Sequence, residues 1–244
     1  MTGYFLVADL LGFGQIVTNS SPEQLEDRIG DWIDLVATSA RETGLERYQL
    51  ISDTVFAAAE SSEQGLRVLI SFARQLLNNG APKSLLVRGA VAHGEFTWGS
   101  KLIYGPAVIA AHELEMSLNW IGVACDPELP HIDSQWDYGH AIAYVPPKKG
   151  GWYRVQPVVD WQIPPTHKLI EYLAGGGLTK PDDRIPGEVM SKLNNTVQFG
   201  TYRHLARAEK FKPSAFYGHN PMQAIEMVVA RCLTQHLEGE GRSA

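Results

Sequence analysis

The sequence has few cysteines, few basic residues and no long apolar runs. Its 244 residues include 2 cysteines, Cys125 and Cys232, which lie far apart and have no C-x-x-C partner. This pattern excludes a disulfide scaffold and a thiolate zinc site, and it is typical of proteins in a reducing cytosol. We therefore expect a cytoplasmic protein.

Positive charge is also scarce. Lys and Arg number 21 against 27 Asp and Glu, a formal net charge of −6, which disfavours a protein that coats nucleic acid or anionic membrane. No apolar run reaches the roughly 18 residues that span a bilayer, and the apolar start contains Asp9 and has no basic leader. We expect no nucleic-acid partner and no membrane segment, so a polyanionic substrate would need a local positive site or a metal.

The apolar residues, 44% of the chain, are sufficient for a core, and their spacing predicts the fold class. The pattern indicates a strand at 4–11, a capped helix from Ser21 with apolar residues that include Ile29 and Ile33, a hairpin at 47–60, a helix at 61–80 and a strand at 84–96. The order β-α-β-β-α-β is that of ferredoxin-like α/β sandwiches.

Beyond residue 96 the pattern is less regular. It predicts a third helix at 107–120, a mixed segment to about 158, and helical stretches at 188–209 and 222–237. We expect an α/β domain over residues 1–160 and a helical C-terminal extension over 161–244 that packs on it.

Two aspartates mark the ends of neighbouring predicted strands. Asp9 lies in an apolar strand, where a lone carboxylate is costly, so it should be paired, protonated or bound to a cation. Asp53 lies at the tip of the hairpin. Two converging carboxylates suit Mg²⁺ or Mn²⁺, which completes its shell from phosphate ligands. The alternative for each is a capping or hydrogen-bonded structural aspartate.

Four segments together resemble the class III nucleotidyl cyclase family. They are Asp9-Leu-Leu-Gly-Phe-Gly14 and Ser52-Asp53-Thr54, which are similar to its two metal motifs, Arg88-Gly-Ala-Val-Ala-His-Gly94, and Gly105-Pro-Ala-Val-Ile-Ala-Ala-His-Glu-Leu-Glu115. Order and spacing agree with the family over about residues 4–125. The resemblance implies a catalytic domain of that fold, active as a homodimer with its sites at the subunit interface.

The family's chemistry is attack of a ribose 3′-hydroxyl on the α-phosphate of a nucleoside triphosphate, with two Mn²⁺ or Mg²⁺ ions. Carried over by position, Asp9 and Asp53 would be metal ligands and catalytic residues, and the Leu10 carbonyl a third ligand. Gly12 and Phe13 would lie in the turn that faces the triphosphate, since backbone N–H groups at such turns bind phosphate.

The chain also departs from the family. Ile109 and Glu113 stand where the resemblance implies a transition-state Asn and Arg, and Leu102 replaces a polar base-reading residue. Arg88 and Lys101 are the candidates for the missing cation. A surface or interface role is the alternative for Arg88.

The segment before Asp53 resembles that of a subgroup. Arg47 and Tyr48 are similar to the signature of the bacterial pyrimidine cyclases of the Pycsar anti-phage system, and Gln49 takes the place of a charged purine reader. The resemblance implies that the chain cyclises UTP, or alternatively CTP, to a messenger for a separate effector. An unorthodox purine cyclase and a silent nucleotide-binding module remain open, and Tyr48 is alternatively a packed strand residue.

Two histidine arrangements have simpler explanations. His93 in the predicted strand at 84–96 is a candidate phosphate contact, but a lone strand histidine is more often a hydrogen-bonded structural residue. His112 and Glu115 are spaced as metal ligands on one helix, yet a solvated helix face explains them as well.

Overall fold

A computed structural model defines the structure of residues 1–132, 140–150, 154–175 and 185–208. The strands are β1 (Thr2–Leu10), β2 (Arg47–Ile51), β3 (Thr54–Glu60), β4 (Val87–Glu95), β5 (Thr97–Trp98), β6 (Ile103–Tyr104), β7 (Gly122–Cys125), β8 (Ala141–Tyr144) and β9 (Gln156–Val159). The helices are α1 (Phe13–Asn19), α2 (Pro22–Thr43), α3 (Glu63–Gly80), α4 (Pro106–Ser117), α5 (Thr166–Gly175) and α6 (Gly187–Ala208), and a 3-10 turn covers Ala81–Lys83.

The main sheet has the strand order β2-β3-β1-β4-β7-β9-β8, and β5 and β6 form a separate hairpin. Its first four strands are antiparallel to one another, and β7 is parallel to β4. With α2 and α3 as the crossovers, β4-β1-β3-β2 is the ferredoxin-like arrangement. The predicted fold class is therefore confirmed.

Local chemistry explains the first elements. The Ser21 hydroxyl accepts a hydrogen bond from the Gln24 amide, and the Gln24 side chain accepts one from the Ser21 amide, which closes a capping box at the start of α2. Between β2 and β3, the turn of Ser52 and Asp53 has Ser52 at φ 58°. Positive φ in a two-residue hairpin turn matches the right-handed twist of the strands.

The two faces of β1 serve different cores. Leu6 and Ala8 belong to the large core that α2 and α3 cover, whereas Phe5 and Val7 belong to a smaller core with Ala111 of α4. Because side chains alternate along a strand, the residue that continues the second series is Asp9. The fold therefore directs this carboxylate to the α4 side of the sheet.

Several predicted details differ from the structure. Ile29 and Ile33 are exposed, because the buried face of α2 is formed by Trp32, Leu35 and Val36. The third helix ends at Ser117, before Trp120, because the chain turns there to bury the indole. The predicted helix at 222–237 lies outside the described residues.

Helix α6 packs on the outer half of the sheet, and α5 packs against the 3-10 turn and α6. The Tyr202 hydroxyl of α6 donates to the Ala143 carbonyl at 2.7 Å, and the Ile121 amide donates to the Thr196 hydroxyl at 3.0 Å. Leu169 of α5 and Phe199 of α6 are fully buried in the large core. None of the helices in the described part of the chain combines the length and apolarity that a bilayer crossing requires.

Candidate functional site

A polar row crosses three strands on the α4 side of the sheet. Asp9 of β1 is directly opposite Thr54 of β3 on one side and Arg88 of β4 on the other. The Thr54 hydroxyl donates a hydrogen bond to Asp9 Oδ1 at 3.0 Å. Residues opposed in this way share a face of the sheet, so a carboxylate lies between a hydroxyl and a guanidinium group.

The Asp9 carboxyl is only partly accessible to solvent. The pKa of Asp9 is raised from 3.8 to about 6, first by burial and then by the nearby Asp53 carboxylate, while the Thr54 hydrogen bond opposes both effects. Glu115 adds to the rise and Arg88 counters it more weakly. A carboxylate that is both desolvated and repelled gains stability from any cation that binds beside it.

Asp53 reaches the site from the hairpin turn. The Leu10 amide donates to the Asp53 carbonyl at 3.2 Å, which fixes the turn against the end of β1. The structure thus brings Asp9, Leu10 and Asp53 together, as the sequence predicts. Two carboxylates and a backbone carbonyl are hard oxygen ligands, which fit Mg²⁺ or Mn²⁺.

No cluster of three or more His, Cys, Asp or Glu side chains that could hold a metal ion occurs in residues 1–132, 140–150, 154–175 and 185–208. An ion at Asp9 and Asp53 would therefore take the rest of its ligands from backbone, water or a bound phosphate. That is the usual coordination of Mg²⁺ in nucleotide sites.

The turn after β1 is built on glycine. Gly12 has φ 81°, a left-handed conformation, and it accepts the first amide hydrogen bonds of α1. Phe13 is half-buried and packs against the large core. The predicted phosphate-facing turn is thus adjacent to the two aspartates.

Arg88 is buried and forms an ion pair. Its Nε and Nη2 atoms each lie 2.5 Å from Glu115 Oε1, and the two side chains are 8% and 2% exposed. The charge of Arg88 is thus offset within the chain. Sequence reasoning missed this pair, although the spacing of Ala107, Ala111 and Glu115 places the glutamate on the buried face of α4.

The structure separates the three predicted base-reading residues. Gln49 shares the sheet face of Asp9, whereas Tyr48 points to the opposite face and is 39% exposed. Arg47 begins β2, roughly 13 Å along the strand from Ile51, and lines a cleft with Val68 at the other end of the hairpin from the aspartates. Of the three, Gln49 alone is on the face of Asp9 and near it along the strand.

The remaining candidates are also placed. His93 Nε2 lies 2.8 Å from the Ser61 hydroxyl, and its ring contacts Tyr4 at a centroid distance of 5.0 Å, which matches a structural histidine. Lys101 and His112 are exposed. Because Glu115 is bound to Arg88, His112 and Glu115 do not form a metal site.

An apolar surface lies on the α4 side of the sheet, and we call it the α4 surface. Its members are each at least half exposed: Ile51, Leu102, Tyr104, Ile109 and Met116. Ile109 and Met116 are seven residues apart on α4 and so share one side of the helix. Exposed apolar residues grouped in this way mark interaction surfaces.

Comparison with solved structures identifies the fold. The catalytic core of a rhodopsin-guanylyl cyclase in complex with ATPαS matches with a TM-score of 0.52 and 12% identity, covering 65% of this chain and 94% of that one. A dimeric guanylyl cyclase domain from Blastocladiella emersonii matches with a TM-score of 0.51 and 14% identity, covering 65% and 95%. The guanylate cyclase domain from Catenaria anguillulae in complex with GTP gives 0.50 and 12%, covering 65% and 95%.

No protein-family model matches the sequence, and no curated protein matches it. The likeness therefore rests on the arrangement of strands and helices. On that arrangement, the chain has the fold of the class III nucleotidyl cyclase catalytic domain.

Proposed function

We propose that this protein is a metal-dependent pyrimidine nucleotidyl cyclase that converts UTP to 3′,5′-cyclic UMP and pyrophosphate. One observation carries the proposal: Asp9 and Asp53 meet at one end of a cyclase-type sheet, beside the glycine turn of Gly12. A structural aspartate would need one partner. A desolvated carboxylate with a second carboxylate beside it is costly to the fold and gains from a cation.

The chain's own residues have the following roles in this proposal. Asp9, Asp53 and the Leu10 carbonyl would hold the divalent ions, and Gly12 and Phe13 would shape the turn that receives the triphosphate. Bound there, the ions would supply positive charge that makes the 3′-hydroxyl more acidic, so that its proton passes to solvent, and that offsets charge on the departing pyrophosphate. The new bond joins O3′ to the α-phosphorus as the bond to the β-phosphate oxygen breaks.

A homodimer is part of the proposal. The α4 surface supports it, because its five large apolar side chains are each at least half exposed, and exposed apolar side chains favour association. In a dimer through this surface, the α4 side of one sheet faces the other chain. Residues of the second chain then complete the nucleotide site.

Base selection is assigned to Gln49. It lies on the Asp9 face of β2, and its amide can both donate to and accept from a pyrimidine edge. Since the base would be held by the partner chain, Gln49 need not touch Asp9 of its own chain. Tyr48 points away from that face. We therefore expect Gln49→Ala to lower discrimination among nucleotides and Tyr48→Ala to leave it largely unchanged.

Product analysis tests the proposal directly. Purified protein is incubated with Mn²⁺ and each of the four ribonucleoside triphosphates, and products are identified by mass spectrometry. Cyclic UMP as the main product supports it, and cyclic AMP or cyclic GMP would contradict the pyrimidine assignment. Asp9→Asn and Asp53→Asn should abolish turnover, whereas Asp27→Asn, the same change at an exposed position of α2, should not.

A second candidate is a nucleotide-binding module without turnover. Ile109 and Glu113 stand in place of the expected amide and cation, and the charge of Arg88 is already offset by Glu115. Equilibrium binding of UTP in the presence of Mn²⁺, with no cyclic product from any nucleotide, would favour this candidate.

If the protein is an enzyme, Lys101, exposed near the start of α4, is the cation to test, and Lys101→Ala should lower kcat.

The wider role follows from the resemblance alone. A cyclic pyrimidine nucleotide would act as a second messenger on a separate effector protein during phage infection. Cells that carry the wild-type protein should accumulate the cyclic nucleotide after phage challenge, and cells with Asp9→Asn should not. Equal levels in the two strains would contradict this role.

A further inference from the structure

Asp9 and Arg88 are directly opposed charges on neighbouring strands. They are register partners of β1 and β4, which puts their Cβ atoms about 4.5–5.5 Å apart on the same face. Opposite charges in that position normally attract and pair. Within the described part of the chain, however, Arg88 pairs with Glu115 and not with Asp9.

Glu115 controls where the guanidinium points. It comes from α4, which packs over this face of the sheet. Its Oε1 atom accepts a hydrogen bond from Arg88 Nε at 2.5 Å and lies 2.5 Å from Nη2. Both side chains are nearly inaccessible to solvent. A buried guanidinium without a partner is very costly, so Arg88 must always be bound to some acceptor.

Asp9, the register partner of Arg88 on the adjacent strand, is an alternative acceptor for it. Its described hydrogen bond is the one from Thr54 to Oδ1, which leaves lone pairs on both oxygens for another ligand. An arginine bound there would occupy those lone pairs and neutralise the carboxylate. It would then compete with a divalent cation for the same oxygens.

We propose that Glu115 is a positioning residue, which holds Arg88 away from Asp9 and so keeps the Asp9 carboxylate open to a divalent cation. This inference rests on the proposed function, which assigns Asp9 as a metal ligand. It gives the buried ion pair a role in metal affinity in addition to packing. It also assigns Arg88 to the interior of the site, where its charge is not available to a phosphate.

The test measures binding of Mn²⁺ alone to the full chain by calorimetric titration, without nucleotide. Glu115→Gln should raise the Kd for Mn²⁺ at the Asp9 site by about tenfold, or about 1.4 kcal/mol, because Arg88 turns to Asp9. Glu113→Gln is the matched control, since it removes the same charge from an exposed position of the same helix. Its Kd should be that of the wild type.

A double variant separates this role from a purely structural one. Glu115→Gln combined with Arg88→Met removes the competing cation, and the Kd should return to within about threefold of the wild type. Thermal melting monitors folding of each variant. If Glu115→Gln does not fold, Glu115→Leu with Arg88→Met replaces the pair by apolar side chains of similar length, and it should bind Mn²⁺ as the wild type does.

The outcomes are distinguishable. If the wild type binds no Mn²⁺, or if Asp9→Asn binds it equally well, the proposed function and this inference fall together. If the wild type binds at Asp9 and Glu115→Gln binds equally well, the inference alone is overturned. The same holds if the double variant binds as weakly as Glu115→Gln, or if the apolar pair loses affinity, because the ion pair would then act through packing.

Discussion

Removing the Asp9 charge should stabilise the protein when no metal is present. At pH 7 the carboxylate is ionised although its pKa is raised to about 6 by burial and by Asp53, and each pH unit of difference from the unfolded value corresponds to about 1.4 kcal/mol. The rise from 3.8 therefore corresponds to a loss of about 3 kcal/mol in the free energy of unfolding at pH 7. We halve this loss to about 1.5 kcal/mol because the group is partly accessible to solvent. Asp9→Asn keeps an oxygen that can accept the Thr54 hydrogen bond.

The assay is thermal unfolding at pH 7 with a chelator. For a chain of this size, a gain of about 1.5 kcal/mol raises Tm by roughly 3–6 °C. Asp27→Asn, at an exposed position of α2, controls for the change in net charge and should leave Tm within about 1 °C. With Mn²⁺ the order should reverse, because the wild type gains stability from binding and Asp9→Asn does not.

The pH dependence shows whether ionisation of Asp9 lowers or raises the free energy of unfolding. A carboxyl whose folded pKa is raised binds its proton more tightly when folded, so the free energy of unfolding falls as pH rises from 3.8 to about 6. The advantage of Asp9→Asn should be absent below about pH 4, grow up to about pH 6 and be complete at pH 7. A variant that melts at or below the wild type at pH 7, with no change in the gap between pH 4 and 7, would refute the reasoning.

Three further outcomes are expected. Met116→Glu places a charge on the α4 surface, so light scattering should show a monomer, whereas we expect the wild type to be a dimer. Met190→Glu, at an exposed position of α6, is its control, and a dimeric Met116→Glu would exclude this interface. Tyr202→Phe removes the buried hydrogen bond to Ala143 and should lower the free energy of unfolding by about 1–2 kcal/mol in urea; an unchanged value would contradict the contact. Ser21→Ala breaks the capping box of α2 and should cost about 1 kcal/mol in the same assay, and no loss would mean that the cap contributes nothing.

Much of the first half of the fold is local in origin. The capping box at Ser21, the polar tip at Asp53 and the apolar run of β1 can each be read from a few neighbouring residues. The prediction that Ile29 and Ile33 lie on the buried side of α2 was wrong. Apolar periodicity shows that a helix has an apolar side, but it does not show how much of that side the rest of the protein covers. In α2 the cover stops short of these two residues.

In the candidate site, too, some features can be recognised in the sequence and others depend on packing between distant segments. Asp9 and Asp53 were recognisable because a carboxylate in an apolar strand and one at a hairpin tip are conspicuous in sequence. Glu115 was not recognised as the partner of Arg88, since the two are 27 positions apart and neither segment contains a pattern that indicates contact with the other. The face of Tyr48 likewise follows from its register with β3.

The sequence by itself thus determined the order of the elements and the fold class, and it marked the two aspartates as candidate site residues. It could do so because periodicity, caps and turns act over a few residues. The tertiary structure decided which charges meet. It placed Arg88 against Glu115, left Asp9 beside Thr54 and Asp53, and directed α6 onto β8 through Tyr202. The physical reason is that burial and ion pairing depend on distances between segments far apart in the chain, which only packing sets.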